Sequence, residues 1–384
     1  MTILFSLFII GTITVHAETG AYSLLERSNW RRYNNGRYMG LVSREVRASV
    51  FPQAVSGSSS PSALVYQGNF YLMQSMIREV RLSAQEVEAV VPVSFVVEED
   101  GSMIIENDQG FPAMRGFPAF PEEPLRTGLR WQAPGSRAAD PLTAGHPLII
   151  PFIAEYEYRG MEMYRDMRVH RISAVYASRY HNECPIENGL SSIQGTHTVD
   201  ILVRVEDRLP VFMRDNLDVT YTMTDGSTVR FTGFTLTFRH GIVFMNRGQV
   251  IGSFSEAGFE DSAIDIVPVL EGIRLSIRDI RFVPDSAEFL PEEHHRLDHI
   301  AEALRQIPER TFLIEGHTAA VGRPESEMHL SVERARRMAD AMVSRGINAD
   351  RFIYKGWGGT RPLDDNATDA GRSRNRRVEI TILE

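Results

Sequence analysis

A change of period constrains this chain most. From about Val90 to Ser255, apolar residues recur at every second position, the pattern of strands with one buried face. From about Ile280 onward, strand-length apolar runs alternate with helix-length amphipathic ones. A pattern written for strands does not settle as helices, nor the reverse, so the chain holds at least two bodies of different class. Its 384 residues, 43% of them hydrophobic, are enough for more than one core.

The strand-like region announces its own turns. Val93–Val97 and Met103–Ile105 flank Glu99-Asp100-Gly101, and Thr224-Asp225-Gly226 turns Leu217–Thr224 into Thr228–Phe238. Phe152–Tyr158, Val169–Ala177 and Thr198–Val205 lie between them. Six prolines from Pro112 to Pro141 mark a long irregular loop or a seam between two sheets. The expected fold is an antiparallel β-rich domain over residues 89–262, a sandwich or partly open barrel. A lipid-facing band needs one clean apolar face per strand. Glu155 with Glu157, and Arg168 with Arg171, break such a face, so the reading favours a soluble domain over a membrane barrel.

Upstream, residues 18–88 read as a mixed N-terminal segment. Trp30–Tyr38 reads as a hairpin around Asn35-Gly36. Tyr71–Ala89 reads as helical, with Ser83 as a cap. The Gly57–Ser62 stretch reads as a linker. Before them, Thr2–Val15 is a nearly continuous apolar run ending at Val15-His16-Ala17. Small residues at these positions suit signal peptidase, so residues 1–17 read as a signal peptide and the mature chain as exported to a periplasm. No later stretch is long and apolar enough for a transmembrane helix.

A formal net charge of −9 argues against nucleic acid as a partner. A single cysteine, Cys184, cannot staple the fold, and His146, His170, His181 and His197 lack the spacing of metal ligands. No triad, paired-carboxylate site or phosphate loop stands out. The chain reads as a binding or structural protein with no catalytic residues, metal or cofactor.

From Ile280 the order is β-α-β-α-β-β. Ile280–Val283 is the first expected strand. Pro291-Glu292-Glu293 opens a helix carrying Leu297, Ile300, Ala301 and Leu304 on one face. Phe312–Ile314 follows, then a helix capped by Ser331 that carries Ala335, Met338, Ala339 and Met342 and ends at Gly346. Phe352–Tyr354 and Val378–Ile382 complete a small mixed sheet with helices on one face. The whole is expected to be an α+β multi-domain protein.

This last part also carries a resemblance. Phe282 with Asp285, Glu315-Gly316-His317-Thr318, Gly322, Leu330-Ser331 and Arg334-Ala335 occur in one order. Gly346-Ile347, Gly356, Gly358, Pro362, Asn366, Thr368, Gly371-Arg372 and Asn375–Ile380 continue it. Residues from about 275 to 384 resemble the OmpA-like C-terminal domain of the peptidoglycan-associated family. The resemblance implies noncovalent binding to the peptide stem of peptidoglycan, at a diamino acid whose free end carries an ammonium and a carboxylate. An aspartate pairs with the ammonium and an arginine takes the carboxylate, a planar guanidinium matching a carboxylate bidentately. The arginine maps onto Arg334 and a second basic contact onto Arg376, with further contacts near Thr318 and Asp285.

One position departs. Where the family reads Gly-His-Thr-Asp, this chain reads Gly316-His317-Thr318-Ala319, and the ammonium loses its partner. Glu327 also replaces a family asparagine and offers a carboxylate from another direction. Two readings follow: a peptidoglycan tether through a modified, weakened site, and a retained fold acting as a scaffold or docking module for other envelope proteins. Arg334 also has a bland reading, pairing with Glu327 or Asp365 to hold a loop. Trp357 has one as well, packing over the sheet edge.

Overall fold

The computed structural model describes residues 13–14, 20–54, 64–76, 84–97, 103–139, 147–182, 189–256, 264–278, 280–283, 286–307 and 309–384. Of residues 1–17 it describes only Ile13–Thr14, a two-residue strand beside Phe120–Pro121. Cys184, the Gly57–Ser62 linker, Ser83, His146 and Asp285 lie outside the described residues. The chain forms two compact units. One takes in the described parts of Met1–Phe70, Gln74–Arg78 and Val91–Gly241. The other takes in those of Tyr71–Met73, Glu79–Val90 and Ile242–Glu384.

The first unit is a large antiparallel, near-barrel sheet of twelve strands. In spatial order these are Met103–Ile105, Ala89–Val97, Leu64–Met76, Arg37–Ala54, Tyr22–Asn34, Thr228–Gly241, Pro210–Met223, Leu190–Arg204, Met167–His181, Leu148–Tyr164, Arg130–Ala139 and Met114–Arg115. The period-two pattern decides which face is inside. Ile150, Phe152, Ala154, Tyr156 and Tyr158 are buried, while Ile153, Glu155 and Arg159 between them are exposed. The outward charges pair across strands: Arg230 with Asp218 at 2.5 Å, and Arg130 with Glu157 at 2.9 Å.

Three expectations are corrected here. Residues 18–88 are not a mixed segment, because Tyr22–Asn34, Arg37–Ala54 and Leu64–Met76 are strands of the same sheet as residues 89–241. The expected helix at Tyr71–Ala89 is strand as far as Met76, then the short strand Gln85–Glu86. Tyr71-Leu72-Met73 is too short an apolar run for periodicity to choose between helix and strand, and the β-favouring Val65, Tyr66, Phe70 and Tyr71 carry the strand through. The proline-rich stretch is not a seam between sheets. Pro134 lies within strand Arg130–Ala139, and Phe117 packs on the inner face of the twelve-stranded sheet, where it meets Tyr156 at 5.6 Å and Phe152 at 6.0 Å. The Asn35-Gly36 hairpin forms as read, both residues having positive φ, 47° and 77°, as a type I′ turn requires.

The second unit has a six-stranded sheet in the order Ile264–Val269, Gly272–Arg278, Arg377–Leu383, Phe312–Gly316, Phe352–Gly356, Gln85–Glu86. Phe312–Gly316 and Phe352–Gly356 are parallel and joined through the long helix Pro324–Val343. The strand expected at Ile280 is instead Gly272–Arg278, which pairs with Arg377–Leu383. Ile280–Val283 contributes only an isolated bridge, Phe282 to Phe289. Its Arg281 is exposed and Val283 only partly shielded, so the segment has no sheet face to bury. The second helix of the expected order begins at Pro324, not at Ser331. Proline at the first position and Glu325 with Glu327 in the first turn start it earlier.

Leu297, Ile300, Ala301 and Leu304 from His294–Arg305, and Met338 and Met342 from the long helix, pack on Ile314, Phe352 and Ile380. The opposite face is also covered. Leu313, Ile353 and Leu383 meet Tyr71, Met73 and Val87, and Lys355 donates to the carbonyls of Val87 and Glu88 at 3.1 Å. No described helix is long and apolar enough to cross a membrane.

Two glycines set how near the strands come to the long helix. A Cβ on Gly316 would overlap the Ser331 carbonyl, and one on Gly356 would overlap Ser331 Oγ and the Val332 nitrogen. Gly356→Val is expected to destabilise the second unit by about 1–3 kcal/mol through overpacking. Protection of strand Phe352–Gly356 in hydrogen exchange should fall accordingly, with protection of Met167–His181 unchanged.

Candidate functional site

The loop that leaves strand Phe312–Gly316 is built by capturing its own N–H groups. His317 N donates to the Arg377 carbonyl at 3.0 Å and Thr318 N to the Gly358 carbonyl at 2.9 Å. Ala320 N donates to Asn366 Oδ1 at 3.1 Å. Val321 N and Gly322 N both donate to Glu327 Oε1, at 2.8 and 2.6 Å. Glu327 sits in the first turn of the long helix and reaches back to fix the entering chain, a reciprocal of ordinary N-capping. Asn375, fully buried, holds the facing loop by accepting from Leu363 N and Asp364 N at 2.7 and 2.9 Å.

Within this frame, Ala319 is 3% exposed, so the position where the family carries aspartate is closed over a methyl group. Thr318 is buried, and its Oγ1 has no hydrogen-bond partner among the described residues. A buried polar atom without a protein partner calls for water or a ligand. Arg334 lies half-buried on the long helix, its guanidinium 4.7 Å above the Phe282 ring and its Nε 3.4 Å from the Ser286 carbonyl.

The cluster of arginines near the C-terminus sorts itself by partner. Arg372 pairs with Asp369, Arg374 with Asp364 at 2.7 Å, and buried Arg377 with Glu379 at 2.7 Å. Arg376 is exposed and makes no ion pair among the described residues. Trp357 is committed to packing. Its Nε1 donates to Glu315 at 2.6 Å, and the Arg361 guanidinium lies 3.3 Å above its ring. Asn366 and Glu327 are the residues whose work was not foreseen. The pattern names both positions, but nothing local in the sequence says that they bind the backbone of the site loop.

Beneath the loop lies a buried polar group. His317 Nε2 is 3.7 Å from Glu379, and Ser276 Oγ is 3.4 Å from the same carboxylate. Burial resists ionisation of Glu379, but His317 and Arg377 overcome it and hold its pKa at about 2. Burial lowers the pKa of His317 more than Glu379 raises it.

Residues 281–376 match the model of the OmpA family. This C-terminal segment is an OmpA-family domain. Among similar curated proteins, peptidoglycan-binding protein ArfA of Mycobacterium bovis is 36% identical over 103 residues, which are 27% of this chain and 32% of that protein. Outer membrane porin F of Pseudomonas fluorescens is 33% identical over 115 residues, 30% of this chain and 35% of that protein. The chain thus spans about a third of the length of these relatives. Among solved structures, the cell wall anchor of the T6SS from Pseudomonas aeruginosa is 29% identical with a TM-score of 0.32. The match covers 36% of this chain and 99% of that one.

The buried group under the OmpA-domain loop makes stability depend on pH. The folded pKa of Glu379 is depressed below its ordinary 4.5, so its contribution is present above that value and lost as pH falls toward 2. His317, its pKa lowered by folding, takes a proton more readily when unfolded, so stability also declines below its ordinary 6.5. Both act in one direction. Exchange protection of strand Arg377–Leu383 is expected to fall continuously from pH 7 to pH 3. In Glu379→Gln the fall below pH 4.5 should flatten, from a lower starting level.

Proposed function

We propose that this chain is an exported cell-envelope binding protein whose OmpA domain contacts the peptide stem of peptidoglycan weakly and without a covalent bond. Arg334 takes the stem carboxylate, Arg376 supplies the second positive contact, and the Thr318 hydroxyl accepts or donates a hydrogen bond beside them. Asp285, next to Ser286, is the remaining family contact. The observation that carries the reading is the contrast between Arg376 and Ala319. The cationic half of a site for a zwitterion is present and open, while the anionic half is a buried methyl group.

Glu327 commits Oε1 to two loop N–H groups, which leaves Oε2 as the oxygen it can offer the ammonium. Losing one member of a desolvated charge pair costs about 2–5 kcal/mol. The domain should therefore bind roughly thirty- to several-thousand-fold less tightly than one with the aspartate. The printed names of the relatives, a peptidoglycan-binding protein and an outer membrane porin, support an envelope setting. An N-terminal signal peptide over residues 1–17, export to the periplasm with possible association to the outer membrane, and the β-α-β-α-β-β description of the domain belong to the same proposal. The commitment of Glu327 to the loop favours a second reading, in which the domain keeps its shape as a scaffold or docking surface for other envelope proteins.

Sedimentation of the full chain with purified insoluble peptidoglycan tests both. The first reading expects partial sedimentation of wild type, at least thirtyfold tighter binding by Ala319→Asp, and loss in Arg334→Ala and Arg376→Ala. Sedimentation of Ala319→Asp alone would leave the docking reading. Equal binding by wild type and Ala319→Asp would show that the departure at 319 does not govern the site.

A further inference from the structure

Inside the large sheet of the first unit lies a cavity of about 240 Å³. A buried water needs roughly 10–15 Å³ of such space, so the cavity exceeds one water's need more than tenfold. Protein interiors are otherwise packed with few voids larger than a water molecule. Here Trp30, Leu217, Val219 and Phe231 form an apolar wall, and Glu26, Arg44, Arg137 and Asp215 line the same space.

The polar groups at this wall are unequally committed. Asp215 is already engaged: it accepts from His197 Nδ1 at 2.9 Å and from Tyr176 at 3.3 Å, and lies 3.6 Å from Arg137. His197, fully buried, is kept neutral by burial, which lowers its pKa despite Asp215. Arg137 commits Nη1 to Tyr176 Oη at 3.2 Å and to His197 Nε2 at 3.1 Å. Its Nε and Nη2 make no hydrogen bond among the described residues. Glu26 likewise has no hydrogen-bond or ion-pair partner among them. Burial raises its pKa against the pull of Arg44 and Arg137, which favours a protonated carboxyl able to donate. Arg137 thus keeps donors in reserve at this wall, while Asp215 is occupied.

We propose that this interior is a binding site for a small amphipathic carboxylate, its apolar body against Trp30, Leu217 and Phe231 and its head on the uncommitted edge of Arg137. A planar monoanion fits a guanidinium edge bidentately. A dianion would bring a second negative charge toward Asp215, and a cation would meet Arg44 and Arg137. Mostly apolar walls with a few converging polar groups are the usual make-up of a small-molecule site. This inference is independent of the reading of the OmpA domain.

Because Trp30 lines the cavity, its fluorescence reports occupancy. The full chain is titrated with 8-bromooctanoate, whose bromine quenches indole on contact, and with 8-bromooctan-1-ol as the uncharged control. Saturable quenching by the carboxylate is expected, at least tenfold tighter than by the alcohol, and its loss in Trp30→Phe places it in the cavity. Arg137→Met should weaken the carboxylate at least tenfold and leave the alcohol unchanged. Val219→Phe, which fills the space, should abolish both while the melting temperature is kept, and this variant decides the matter if Arg137→Met does not fold. Non-saturable quenching, equal affinity for acid and alcohol, or unchanged binding in Val219→Phe would overturn the proposal.

Discussion

The second unit depends on one close approach, that of two strand ends to the long helix at Ser331. Ser331 is fully buried, donates to the Met328 carbonyl at 2.7 Å and accepts from Gly358 N at 2.8 Å. A serine in mid-helix usually turns back on its own chain at some cost to the helix. Here the same oxygen also receives the neighbouring loop. Because Gly316 and Gly356 carry no side chain, both strand ends meet the helix backbone there. The loops that follow, one bearing Thr318 and Ala319 and the other Trp357 and Arg361, inherit their positions from this contact.

That arrangement explains which parts of the domain could be read from residues alone. Leu297, Ile300, Ala301 and Leu304 repeat at helical spacing, and they are the buried face. Ser331 looked like a cap because serine favours caps. Its actual partner, Gly358, is 27 residues away and leaves no local trace. The cover on the second sheet face was invisible for the same reason, since Lys355 and Val87 are separated by 268 positions. In the proposed site, Arg334, Arg376 and Ala319 could be named from the sequence because they are identities at fixed spacing. The tie between Glu327 and the loop could not, because it depends on where a carboxylate ends up and not on which residue carries it. In the first unit the alternation was plain, but the choice between one sheet and two rested on pairings that no short window contains.

Both units handle buried charge in a similar way. Glu379 is held among Arg377, His317 and Ser276, and Asp215 among Arg137, His197 and Tyr176. In each, an acid is surrounded by donors, as burying a charge requires. The settings differ in access. The Glu379 group is packed shut beneath a loop, whereas the Asp215 group looks onto open space. The same chemistry therefore stiffens one unit and leaves part of an arginine available in the other.

The pairing of Tyr22–Asn34 with Thr228–Gly241 bears on how the chain is made. Tyr22 lies opposite Gly241, and Asn34 opposite Val229. A chain emerging from its amino end therefore carries its first long strand with one edge unsatisfied until some two hundred further residues have appeared, and contacts so distant in sequence form slowly. Release before residue 241 leaves that edge bare, and a bare strand edge invites another chain. For this protein the hazard of an interrupted synthesis is association between unfinished copies, and passage in an unfolded state would postpone sheet closure until the whole chain is present.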